Sequence, residues 1–329
     1  MWPLFPKKSV SPKKWAAEQN DNTLTSLYSQ LDNLVAFRFH VKQKKLAHQN
    51  NLMSSSSGNH HALRKGRGMT FSEVRQYQAG DDIRHIDWRV TARTQKPHTK
   101  VFIEEHERPV IVVTEQTPAL FFGSQTRLKI NQALNISAIL SWVALSQNER
   151  VGGLSFNHHH HQWVAPKRSQ ATLLTNLQKA IQLQLAIQNP GASNPMYWQN
   201  TLKKLNQVVK PGSKVFLVGD LLQLSQTSRG YLQKLRRHND IVALHIVDPL
   251  EKTLPNLGWL SLTATPHHSA EQNLTLDSFN PETRAWYAQR YQTQWQHAFK
   301  QFTQLNIPLL EITSDQHPVE QLSRYRVIV

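Results

Sequence analysis

The chain has 329 residues, 39% of them apolar, with 38 Lys or Arg against 22 Asp or Glu for a formal net charge of +16. That length supports one large core, or one core with an appended module, and argues against three domains. With no cysteine, disulfides, thiol catalysis and cysteine-ligated zinc or iron–sulfur centres are excluded, and a reducing compartment is allowed.

Residues 1–20 are rich in Lys and Pro without a period and read as a mobile basic tail. They lack an apolar leader, and the most apolar internal run, 136–145, is too short to span a bilayer, so a cytoplasmic address is expected. Residues 1–72 hold eleven Lys or Arg against Glu18, Asp21 and Asp32, a net +8. Half of the whole excess therefore sits in the first quarter of the chain, as a solvated face or as a surface for an anionic partner. A helical and strand-containing extension over 21–108 should begin with an amphipathic helix, because Leu24, Leu27, Leu31, Leu34, Val35, Val41 and Leu46 recur at spacings of three and four. Its stripe packs on its own domain or faces a partner. The polar stretch 54–59 reads as a linker.

The segment GRGMTFSEVRQYQAGDDIRHIDWRVTAR follows, with Arg75, Arg84, Arg89 and Arg93 interleaved with Glu73, Asp81, Asp82 and Asp87 around Trp88, and a tight turn at Gly80 and Asp81. Charges mixed this closely either pair into a structural network or form a recognition strip for an acidic partner or phosphate. From residue 109 to 329 short apolar runs alternate with helical periods, which predicts an α/β domain with a doubly wound, mostly parallel sheet. Strands are expected at 110–114, 151–156, 162–165, 214–218, 241–247 and 308–312. Helices are expected near 127–148, 169–187, 197–208, 227–238 and 281–304. The first of these helices is apolar nearly all round and should be buried.

Ligands of open α/β sheets sit beyond the carboxyl ends of the strands. Glu115 and Thr117 follow the first of these strands and Asp220 follows the fourth. Together they suit a Mg²⁺ site, which takes oxygen ligands, or they cap neighbouring helices. The run His158 to His161 falls between two strands and reads as a hairpin turn. Successive residues point opposite ways, so four neighbours cannot share one metal. The elbow, zincin and P-loop motifs are absent, and Gly66 with Gly68 lacks the rest of a dinucleotide fingerprint. No enzymatic function is expected.

The Arg/Asp segment, followed by RPVIVVTE, FGS, NERVGGLSF, KVFLVGD and VALHIVDPLE, resembles the bacterial "domain of unknown function 58" proteins from about residue 25 to the end. The resemblance implies a von Willebrand factor A-like fold, and a role beside a MoxR-type AAA ATPase and other such domains in chaperone-like maturation. It also implies a divalent-ion site of D-x-S-x-S type. Here that motif reads Glu115, Gln116, Thr117, Pro118 and Ala119, with Asp220 as the later acid and Ser193 nearest to the distant hydroxyl. Ala119 offers no ligand, so a degenerate site is expected that binds Mg²⁺ poorly or not at all and serves as a partner-binding rim. The reading is an adaptor protein. The alternative is nucleic-acid or anionic-membrane binding through the basic N-terminal portion.

Overall fold

The computed structural model describes residues 27–47, 69–104, 108–188, 196–222, 224–263 and 273–329. Residues 27–47 with 109–329 form one compact unit, and the described part of 57–108 forms another. The expected extension over 21–108 is thus not one piece: its helix belongs with the α/β unit.

Strands β3 (Val110–Glu115), β4 (Val151–Phe156), β5 (His161–Lys167), β6 (Lys214–Gly219), β7 (Asp240–Val247) and β10 (Leu309–Thr313) form a six-stranded sheet in the order β10-β7-β6-β3-β4-β5. All neighbours are parallel except β4 and β5, which form an antiparallel edge hairpin. The continuous apolar runs of β3, β6 and β7 suit strands covered on both faces. Alternate residues then divide between two cores. Val110 and Val112 join the core under α1 (Leu31–His40), α3 (Lys129–Ser146) and α4 (Gln170–Leu185). Ile111 and Val113 join the one under α5 (Tyr197–Val208), α6 (Gln226–Arg236) and α8 (Pro281–Gln304). The expected strands and helices stand within a few residues of these bounds. Helix α3 is buried along its length, as its all-round apolarity predicts.

The N-terminal helix is shorter than the 24–46 stripe suggests, ending at Val41. Beyond it the chain pairs with the C-terminal segment: Lys45 and Val329 exchange both backbone bonds at 2.8 Å, and Ala47 N–H donates to the Val327 carbonyl at 3.0 Å. These bonds satisfy backbone groups that a continued helix would have used internally. Leu46 accordingly sits in a bridge with Ile328 rather than on the helix stripe. Leu34 and Phe37 bury against α3, and the Trp142 indole N–H donates to the Leu34 carbonyl at 2.9 Å. Trp142→Phe should cost about 1–2 kcal/mol through that lost donor and raise hydrogen exchange in 31–40 above that of the sheet. Unchanged exchange there would show that apolar packing alone holds the helix.

Several short elements among the described residues were given no bounds from sequence. The hairpin of β8 (Trp259–Thr263) and β9 (Asn273–Asp277) is short, and α9 (Pro318–Arg324) has too few residues to display a period. Between β7 and β8 lies the single turn α7 (Pro249–Lys252).

The smaller unit holds an antiparallel pair, β1 (Met69–Gln76) and β2 (His98–Glu104), with α2 (Trp88–Thr94) between them. Gly80 takes φ +107° in the turn after β1, a conformation that glycine adopts without strain.

Candidate functional site

The strand order reverses at β3, since β4 lies on one side of it and β6 on the other. A crevice is expected at the carboxyl ends of the strands at this switch point. Glu115 ends β3 there, and Asp220 follows β6 directly. Glu115 is fully buried. Its Oε1 accepts from the Thr117 hydroxyl at 2.6 Å, and its Oε2 accepts from the Trp198 indole N–H at 3.0 Å and the Asp220 backbone N–H at 2.8 Å. The carboxylate lies against Gly219, where any Cβ would overlap Oε2, so a bare backbone is required. Burial, reinforced by the Asp220 charge, pushes the Glu115 carboxyl up to about 7.

Three further groups complete the cluster, all outside the residues singled out from sequence. Lys129, the first residue of α3, is 1% exposed, and its Nζ lies 2.8 Å from Glu251 Oε1 in α7. Burial alone would lower the Lys129 pKa, but the charges of Asp220 and Glu251 outweigh it and raise it. Burial likewise opposes ionisation of Asp220, and the Lys129 charge overcomes it to hold that carboxyl below its ordinary value. His245, in the middle of β7, is buried; its Nδ1 accepts from the Leu221 N–H at 3.2 Å and lies 3.6 Å from Asp220 Oδ1. Burial lowers its pKa to about 4, so the ring is neutral. A cavity of about 180 Å³ opens beside these groups, lined by Asp220, His245 and Glu251 and, on α8, by Tyr287, Arg290 and Tyr291.

The structure therefore brings Glu115, Thr117 and Asp220 together, but not as helix caps: Glu115 accepts the donors just named, and Asp220 accepts the N–H of Leu222 at 3.3 Å. Ser193 lies outside the described residues. The missed members did leave a trace in the sequence. Lys129 is a lone cation opening an apolar helix, and His245 is a lone polar residue within the apolar run VALHIV. Neither trace specifies a site without the fold.

The Arg/Asp segment spends its acids locally. Asp81 pairs with Arg75 at 2.7 Å, Asp82 caps the turn Ile83–His85, and Asp87 caps α2 through the N–H groups of Arg89 and Val90. Among the described residues Arg84, Arg89 and Arg93 have no ion pair and are exposed, and Trp88 is exposed beside them. The interleaved charges thus pair only in part. Only His158–His160 of the histidine run form the β4–β5 turn, with the Asn157 side chain accepting the backbone N–H groups of His159 and His160, while His161 opens β5 and pairs with Phe156. The described residues contain no group of three or more His, Asp or Glu placed to hold a metal ion. None of their helices is long and apolar enough to cross a membrane.

Fold and site together define an α/β protein whose strand-end acids gather at the switch point of a mostly parallel sheet. The chain belongs to the family described as "Protein of unknown function DUF58", which matches residues 73–297. It is 24% identical over 272 residues to uncharacterized proteins of Mycobacterium bovis and Mycobacterium tuberculosis, covering 82% of each chain. Among solved structures it is similar to the conserved hypothetical protein BatB from Bacteroides thetaiotaomicron, at 10% identity and a TM-score of 0.41, over 67% of this chain and 96% of that one.

Proposed function

We propose that this protein is a non-enzymatic, cytoplasmic adaptor of von Willebrand factor A-like type that docks a partner protein at the carboxyl-terminal rim of its sheet. The partner is a MoxR-type AAA ATPase, acting with other proteins that carry such domains. One observation carries the docking surface. Leu257, Trp259 and Phe279 at the base of the β8–β9 hairpin, and Trp286 in the second turn of α8, all reach solvent, with Trp259 71% exposed. Tyr287 and Arg290, next along α8, line the rim cavity. Aromatic residues and Arg are the side chains enriched in the buried centres of protein interfaces, and covering each large apolar one contributes about 1.5–3 kcal/mol. The engagement of both Glu115 oxygens in internal bonds supports a structural task for that acid rather than proton transfer. The choice of ATPase rests on the family resemblance.

The test is capture from the native cell with tagged full-length protein, with and without ATP, and mass spectrometry of what is retained. The expected result is a MoxR-type ATPase that Trp259→Ala combined with Trp286→Ala no longer retains. Equal recovery by the double variant would overturn the assigned surface. Recovery only of nucleic acid or anionic lipid, released at moderate salt, would overturn the adaptor reading and move function to the basic N-terminal residues.

A further inference from the structure

The acids gathered at the carboxyl ends of the strands raise the question of what balances their charge. The Lys129 ammonium ion pairs with Glu251 at 2.8 Å, and its charge also acts on Asp220 and Glu115, the two acids that meet beside it. A lysine is almost never this buried unless it is paired. Nor does helix chemistry place it there, because the positive end of the helix dipole at the start of α3 repels a cation. The residues do not fit a divalent ion. Both Glu115 oxygens are taken by internal donors, Ala119 has no side-chain ligand atom, and an ammonium already lies beside the acids. We infer that Lys129 is the resident cation of this rim, built into the chain in place of a divalent metal ion, and that partner docking there is metal-independent. The docking half rests on the adaptor reading; the cation half stands without it.

Melting temperatures of the full-length protein in EDTA, Mg²⁺, Mn²⁺ and Ca²⁺ test the cation half directly. The wild type is expected to melt alike in all four. Lys129→Met removes the charge and leaves Glu251 Oε1 and the Asp220 carboxylate free to take a cation while Glu115 stays engaged, so it should melt lower in EDTA. It should then recover by at least about 5 °C at a hundredfold excess of a divalent ion over its Kd. Lys129→Gln, which keeps a donor toward Glu251, gives the same readout should the Met variant fail to fold. A variant indifferent to all three cations overturns the inference. So does a wild type that gains stability from one of them, or binds Mn²⁺ by electron paramagnetic resonance, in a manner that Asp220→Asn abolishes. For the docking half, capture of the partner should be equal in EDTA and Mg²⁺, and loss in EDTA alone overturns it. A failure to capture any partner leaves the melting result intact, so the two readings fail separately.

Discussion

Glu115→Ala should melt about 10 °C below the wild type at pH 5.5, a loss of about 4 kcal/mol, and the loss should shrink at pH 8. The substitution strands the Trp198 indole N–H and the Asp220 backbone N–H in a buried place and opens a void beside Gly219. Each stranded donor costs about 1–3 kcal/mol. The pH dependence follows from the raised carboxyl. Folding lifts its pKa from the ordinary 4.5 to about 7, so the folded state holds a proton that the unfolded chain gives up. That contribution is fully present below 4.5 and is lost as pH rises through 7. The span corresponds to about 3 kcal/mol. Glu115→Gln keeps a neutral side chain of the same shape and should flatten the stability profile between pH 5 and 7. Chemical denaturation across that range is the measurement. Parallel profiles for wild type and Gln variant would mean that Glu115 titrates as an ordinary carboxylate and that the desolvation argument is wrong.

Asp248→Ala should cost a similar amount, about 3–5 kcal/mol, although it lies outside the sheet. Asp248 is fully buried after β7 and gathers three separate parts of the α/β unit. Its carboxylate accepts from the Ser124 hydroxyl and, at 2.9 Å, from the Ser124 backbone N–H in the loop before α3. It also accepts from the Ser314 hydroxyl at 2.7 Å after β10, and from the Leu250 N–H at 2.9 Å at the start of α7. Glu251, which ion pairs with Lys129, accepts the Asp248 backbone N–H at 2.9 Å, so this hub also sets the cluster's geometry. Burial opposes ionisation of Asp248, but the bonds from Ser124 and Ser314 outweigh it and lower its pKa. Its contribution is therefore present above the ordinary carboxylate value of 3.8 and is lost as acid titrates the folded form. Asp248→Asn retains one acceptor oxygen and should fall between wild type and Ala. The informative readout is hydrogen exchange in 118–128 and 249–252 together. Faster exchange in only one of the two would show that Ser124 and α7 are held independently.

The sheet was legible in the sequence because its central strands carry continuous apolar runs on both faces, and the covering helices have long, strong periods. Two strand-end acids were legible for a topological reason: residues that follow parallel strands share one rim wherever the helices lie. Their role was not legible. Whether Glu115 caps a helix, holds a metal or is sealed inside depends on Trp198, Gly219 and the Asp220 backbone, which are 83, 104 and 105 positions away.

By itself, then, the sequence determined the doubly wound sheet, the buried α3 and the meeting of Glu115 with Asp220, all of which follow from hydrophobic period and chain order. Only the tertiary structure decided that Lys129, His245 and Glu251 complete that cluster, that the N-terminal helix yields at Val41 to pairing with the last residues, and which Arg side chains of the 75–93 segment find an acid among the described residues. Each of these turns on long-range contacts and on the burial of charge, and neither is written in local spacing.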